Sequence, residues 1–401
     1  MCVVAAQATA AVTAIRLTLA EIVRAYGDGY RRTHRLATVQ RIALRAIAAC
    51  RTAALGGRRE TCDHCGATRL IYNSCRNRHC TTCQGRASAQ WVTARRADLL
   101  PIPYFHVVFT LPHALNALAQ GNPRVIYALL FRAAAETLLT FGRDPRHLGG
   151  TLGVTAILHT WSQTLTQHVH VHCLVTGGAL SRDHTRWIRG RAAFLFPVQA
   201  LSIVFRAKYL AGLQQAFDER ALTFAGGTTP LAEARQFAAF VGQLRATPWV
   251  VYAKRPFAGP AQVLQYLGRY THRIAISNAR LVSVRAGVVR FRWKDYADRG
   301  RTKVMALDVD EFLRRFLVHV LPRGFVRIRH FGVLANRQRR SALARARHLL
   351  AAPMPPTSSA SPHDTTADAT RCPFCRQGHW QVETLSPQPR VLTPVAASDT
   401  S

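Results

Sequence analysis

The chain has 401 residues, enough for several packed units, and 48% of them are apolar, which excludes an intrinsically disordered protein. Its 54 lysines and arginines against 20 acidic residues leave a formal charge of +34, and only four of the cations are lysine. Such a surface draws polyanions, and arginine makes bidentate contacts with phosphate and guanine, so nucleic acid is the expected main partner, ahead of a membrane surface or the ribosome. GC-rich coding explains arginine in place of lysine but not the shortage of acids.

Along the chain, residues 1–15 are apolar but lack a basic leading region, and Arg16, Glu21 and Arg24 follow at helical spacing. An amphipathic helix is predicted rather than a signal peptide, and with it a cytoplasmic protein. No uninterrupted apolar run reaches the roughly 18–20 residues of a membrane span. Helix continues over 16–56, followed by a Cys/His-rich block at 62–83. Strand patterns at 104–111 and 153–161 bracket a helix over 123–139, and a third strand at 168–176 ends at Gly177-Gly178. Helical patterns follow at 198–217 and 229–245, then a strand at 248–253 and a helix at 260–272. Ala286-Gly287 joins 281–284 to 288–293 as a hairpin, and 308–320 is a helix with an acidic first turn. The Pro/Ser/Thr/Asp-rich stretch 353–369 predicts a disordered linker before a small Cys-x2-Cys knuckle and a polar tail.

The fold class is therefore α+β, a sheet with flanking helices, joined to a small Cys-rich module and a helical N-terminal segment. The expected organisation is a helical segment at 1–60, a zinc-binding module at 61–95, a catalytic unit at 96–300 and a basic extension at 301–351. A linker at 352–370, the knuckle at 371–383 and a disordered tail at 384–401 complete it.

Ten cysteines in a reducing compartment point to metal before disulfide. Cys62-x2-Cys65 and Cys80-x2-Cys83 have the spacing of a structural zinc site, in which each turn presents two thiolates to one tetrahedral ion. Cys75 and His79 are alternative ligands. Cys372 and Cys375 supply half of a second zinc site, which His379 and His363 would complete. Arg76 and Arg78, with Arg86, sit where they would grip DNA phosphates.

In Gln167-His168-Val169-His170-Val171-His172 the three imidazoles alternate with valines, so in a strand they share one face. Imidazoles two residues apart can chelate one divalent ion; His168 and His172, about 13 Å apart along the backbone, cannot easily share it with His170. Further on, Tyr266 and Tyr270 stand four apart on one helix face, with Arg269 and Arg273 on the adjoining side. A phenol, with a pKa of about 10, attacks phosphate only when cations neutralise the target. Arg292 and Lys294 are further DNA contacts, with Trp293 or Phe291 available to stack on bases.

The runs SCRNRHCTTCQ, HVHVHCLVTGGAL and YLGRYTHRIAISN, in that order over 62–280, resemble the IS91-family transposases, and CRTAALGG at 50–57 and RHFGVLANR at 329–337 add to the likeness. That family belongs to the HUH endonucleases, named for histidine–hydrophobe–histidine. The resemblance implies a mixed or antiparallel sheet carrying the motif His170-Val171-His172 on its central strand. It also implies nucleophiles at Tyr266 and Tyr270, a catalytic Mg²⁺ or Mn²⁺ beside the structural Zn²⁺, and rolling-circle cleavage and rejoining of single-stranded DNA at transposon ends. Where relatives carry proline between the first two histidines this chain has Val169, and His168 has no fixed role. The third ligand is left among Gln167, His168, His272 and a distant carboxylate. A plasmid replication initiator or relaxase shares this chemistry, and a non-catalytic zinc-dependent DNA-binding protein is the reading from another class.

Overall fold

The structure, a computed structural model, describes residues 17–191, 195–254, 262–263, 268, 275–351 and 370–388. The predicted helices at 1–15 and over most of 260–272, the predicted linker over 353–369 and the tail beyond 388 lie outside the described residues, whereas Thr384 and Leu385, expected in a disordered tail, end the strand Trp380–Leu385.

The main sheet is antiparallel at each described pairing. Its strands are β3 (Tyr104–Thr110), β4 (Gly150–Trp161), β5 (Gln167–Ser181), β6 (Trp187–Arg189), β7 (Val251–Lys254) and β11 (Ile328–Gly332), in the order β11-β4-β5-β3-β7 with β6 on the end of β5. The alternation in β5 decides its two faces. Val169, Val171, Cys173 and Val175 are buried on one side, against helices α5 (Pro123–Arg143) and α6 (Val198–Asp218) through Leu130, Phe131, Leu138, Phe205 and Leu213. Each such side chain contributes about 1.5–3 kcal/mol on burial. By length and composition α5 is apolar enough to cross a bilayer, but most of it is buried in this core.

Two differences from expectation concern this sheet. β5 does not stop at Gly177-Gly178 but runs on to Ser181. The glycines do not end the strand but allow close approach: a Cβ at Gly178 would fall 2.7 Å from the carbonyl oxygen of Ile188 on β6. Residues 328–332, part of the predicted basic extension, instead form the edge strand beside β4.

The N-terminal helices α1 (Leu19–Thr33) and α2 (Thr38–Ala49) belong to a second core. Thr18 and Glu21 form a capping box that starts α1. Leu19, Ile22, Leu44 and Ile47 pack with Val289 and Phe291 of a second sheet, β8 (Leu281–Arg285), β9 (Val288–Asp295) and β10 (Arg301–Asp308), and with Phe312 and Phe316 of α8 (Val309–Leu317). The predicted hairpin is present, with positive φ at Ala286 (46°) and Gly287 (72°), as a tight turn between β8 and β9 requires. Asp308 caps α8 by accepting the Asp310 N–H at 2.8 Å.

The third sheet is small: β1 (Gly57–Cys62) lies between β2 (Thr68–Tyr72) and β12 (Trp380–Leu385). Helix α3 (Gln84–Arg96) leaves the Cys-rich block toward the main sheet, whose second face it helps to cover with α9 (Arg339–Leu349).

Candidate functional site

The side of β5 that faces away from α5 and α6 carries the histidines. Cross-strand pairing places His159 of β4 opposite His170, and Val108 of β3 opposite His172, so His106, two residues from Val108, shares this face. Between the pairs His159/His170 and Trp161/Gln167, the two residues His168 and Val169 stand against Thr160 alone, a bulge next to the cluster. Ring nitrogens of His159, His170 and His172 all lie within 4.8 Å of one another. The Nε2 atoms of His170 and His172 are 3.1 Å apart. Two nitrogens about 2.1 Å from one ion and roughly at right angles give that separation.

Outer partners fix the tautomers. His170 Nδ1–H donates to the carbonyl of His168 at 2.8 Å, which leaves Nε2 as a lone pair. His172 Nδ1 is 2.8 Å from Nε2 of buried His106. Burial pushes the pKa of His170 well down, with His172 and His168 adding to it; burial, then His106 and Lys254, brings His172 to about 3. Both rings are neutral at pH 7, the state that binds a metal. His168 is outside the cluster: its carbonyl takes part, and its ring packs on His113, 5.5 Å between centroids. Gln167 is held by Gln120, whose Nε2 donates to its Oε1 at 2.6 Å. His159 was missed in the sequence because nothing in its own surroundings, Leu158 to Trp161, marks it; only strand pairing brings it to His170.

Tyr266, Tyr270, Arg269, Arg273 and His272 lie outside the described residues. Their described neighbours have definite places. Val263 is fully buried among Ile157, Leu174 and Tyr104, on the histidine face of the sheet. The carbonyl of Gly268 accepts the Ser88 hydroxyl of α3 at 2.7 Å.

Gly268 also lines a cleft of about 640 Å³ with Gln84, Arg280, Arg292, Trp293 and Lys294. Tyr296, not singled out in the sequence, lines it too and is 70% exposed. Arg292 and Lys294 are exposed. Phe291 is fully buried against Phe312 and cannot stack on a base. Arg76 is exposed, whereas Arg78 points inward and donates to the carbonyl of Phe325 at 2.7 Å, a strut rather than a phosphate contact.

The cysteines divide differently from the expected set Cys62, Cys65, Cys80 and Cys83. Cys80 and Cys83 join Cys75 and Cys50, and Cys62 and Cys65 join Cys372 and Cys375. The hairpin of β1 and β2 separates the two half-sites that sequence spacing had paired. Sulfur separations are 3.5 Å for Cys50–Cys83 and 3.7 Å for Cys75–Cys83, Cys62–Cys375 and Cys65–Cys372. Four thiolates about 2.3 Å from a tetrahedral zinc stand about 3.8 Å apart, so both quartets fit the ion. His79 is no ligand: Nδ1–H donates to Asn77 Oδ1 and Nε2 accepts the Leu321 N–H at 3.1 Å, so both nitrogens are engaged. His379 is absent from the second quartet.

The chain thus combines an antiparallel sheet carrying a histidine cluster with a cysteine-rich module and a cleft lined by arginine and lysine. Residues 153–342 match the family described as "Putative transposase", and residues 22–111 match the "Transposase zinc-binding domain" of IS91 type. The chain is 50% identical over 393 residues to "Putative transposase y4qJ" of Sinorhizobium fredii, covering 96% of this chain and 98% of that one. It is 30% identical over 304 residues to the transposase for insertion sequence element IS801 of Pseudomonas savastanoi pv. phaseolicola, covering 72% and 68%. No solved structure matches it. The chain belongs to the IS91-family transposases, and carries their zinc-binding domain.

Proposed function

We propose that this transposase cleaves and rejoins single-stranded DNA at transposon ends through a 5′-phosphotyrosine, by HUH-type rolling-circle chemistry in the bacterial cytoplasm. The observation that carries the reading is the triad His159, His170 and His172, three ring nitrogens converging from two paired strands on one face of the sheet. These residues would hold a divalent cation, which when bound neutralises charge on the scissile phosphate and the departing oxygen. Three imidazoles suit Mn²⁺ better than Mg²⁺, which prefers oxygen.

Tyr266 or Tyr270 then supplies the nucleophile. Its phenolic oxygen forms a bond to phosphorus as the bond from phosphorus to the 3′-oxygen breaks; the phenol's proton is lost and the 3′-oxygen leaves as a hydroxyl. One phosphodiester replaces another, so reversal by a 3′-hydroxyl needs no nucleotide cofactor. Two tyrosines allow a second transfer before the first link is resolved. Val263, buried on the histidine face, and Gly268, whose carbonyl accepts the Ser88 hydroxyl of α3, are the described neighbours of these tyrosines and support this choice of nucleophile. The cleft beyond Gly268, with Arg292 and Lys294 for phosphates and Trp293 and Tyr296 for bases, supports a single strand as the substrate; Arg269 and Arg273, outside the described residues, are further candidates for phosphate contact. The relatives favour a transposase over a plasmid replication initiator or relaxase.

The test is incubation with single-stranded oligonucleotides of the element's ends and Mn²⁺ or Mg²⁺, followed by a denaturing gel. A metal-dependent covalent band, absent from the Tyr266→Phe/Tyr270→Phe variant, supports the reading. Tight DNA binding with no such band on any end sequence points instead to a non-catalytic zinc-dependent DNA-binding protein.

A further inference from the structure

We infer that the chain binds two structural zinc ions, and that the second fastens the C-terminal residues 370–388 to the N-terminal module. The zinc ribbon is thus assembled from the two ends of the chain. Matched over residues 22–111, the zinc-binding domain contains six of the cysteines described above, Cys50, Cys62, Cys65, Cys75, Cys80 and Cys83. Four of these close a quartet among themselves, Cys50, Cys75, Cys80 and Cys83. Cys62 and Cys65 are left as a half-site whose partners come more than 300 residues later.

Several independent contacts build the junction around those sulfurs. β12 pairs with β1 in unbroken antiparallel register from Gly57/Leu385 to Cys62/Trp380. The Asp63 N–H donates to the His379 carbonyl at 3.1 Å, and the His379 N–H donates back to Asp63 Oδ1 at 2.8 Å. The Arg69 guanidinium lies 4.2 Å over the Trp380 ring. Backbone N–H groups face the sulfurs, from Cys65 to Cys62 at 3.5 Å and from Gly378 to Cys375 at 3.4 Å, the arrangement that stabilises thiolates. Gly378 has no room for a side chain: a Cβ there would lie 2.5 Å from Cys62 Sγ and 2.5 Å from Asp63 Oδ1. The two Cys-x2-Cys turns are therefore fitted to one another, not merely adjacent.

A three-stranded ribbon this small buries little apolar area, so the ion supplies much of its cohesion. Without it β12 would leave β1, and Cys62 and Cys65 would be exposed thiols. The ion acts as a clasp between the chain ends, distinct from the triad and from the first quartet.

Elemental analysis of the purified full chain, kept reduced, is expected to give two zinc ions per chain. Cys372→Ser/Cys375→Ser is expected to give one, and in the Co²⁺-substituted protein to halve the thiolate–cobalt absorption. A protease site placed within 353–369 supplies a readout that needs no cysteine variant. After cleavage the C-terminal fragment is expected to co-elute with the body until a chelator is added, then to separate. One zinc per chain in the wild type, a Cys62–Cys375 or Cys65–Cys372 disulfide in the native protein, or a fragment that separates while zinc is still bound would each overturn the inference.

Discussion

His106 and His172 face each other across β3 and β5, with their rings stacked at 5.1 Å and Nε2 of the first 2.8 Å from Nδ1 of the second. With Nε2 of His172 turned to an ion, its Nδ1 carries the proton and donates it to His106. Burial, with Lys254 and His170 adding to it, brings His106 to about 3, so it is neutral and able to accept. His106 is therefore a positioning residue. His106→Phe is expected to raise the Mn²⁺ concentration needed for half-maximal adduct formation about 10–100-fold, with the rate at saturating Mn²⁺ largely kept and His106→Gln falling between. An equal loss at saturating metal would mean that His106 acts by another route.

His159 is the third ligand on this account, and His168 is not one. Mn²⁺ is expected to raise the melting temperature of the wild type and of His168→Ala, but not of His159→Ala, because an ion that binds only the folded state stabilises it. Differential scanning fluorimetry across a Mn²⁺ series measures this directly. A shift lost in His168→Ala and kept in His159→Ala would reverse the assignment.

Much of this site was legible in the sequence, and the misses share one cause. Alternation along 167–172 placed His170 and His172 on one face because strand periodicity is a property of consecutive residues. The third imidazole was not legible, since His159 joins them only through the register of β4 on β5. Cysteine spacing identified a metal module but grouped Cys62 with Cys80, because proximity in sequence stood in for proximity in space. Cys50, at the end of α2, has no cysteine three residues away to mark it. Gly177-Gly178 read as the end of a strand where the glycines serve close strand approach, and 328–332 read as an extension where the edge of β4 needed a partner. Arg78 shows the limit of charge as a guide: its cation is used inside the protein.

Acid is expected to weaken the fold before the carboxylates titrate. Burial, then Arg78 and Arg327, brings His79 down to about 3, and burial brings His319 to about 4. These rings are neutral in the fold but take up protons below about 6.5 when unfolded. Stability is therefore fully present above about pH 6.5 and declines as pH falls toward the folded values. Urea unfolding between pH 7.5 and 4.5 checks this. His79→Gln, which keeps an acceptor for the Leu321 N–H, is expected to flatten the dependence; an unchanged slope would assign it to other groups.

The cleft makes a distinct forecast for binding. Arg292→Glu and Lys294→Glu are expected to weaken single-stranded DNA across all sequences and to make the salt dependence shallower, as loss of phosphate contacts does. Tyr296→Ala removes an exposed stacking ring worth about 1–3 kcal/mol per base, roughly 5–150-fold in Kd, without changing that slope. Fluorescence anisotropy at several salt concentrations separates the two effects.

The central claim is a covalent link between one of two tyrosines and DNA, made beside the histidine triad. Tryptic digestion of the trapped complex, followed by mass spectrometry, tests it most directly. The account predicts a 5′-phosphate on the side chain of Tyr266 or Tyr270, formed only with divalent metal and lost in His170→Ala and His172→Ala. A DNA adduct on any other residue, or on these tyrosines in a chain stripped of metal, would contradict it.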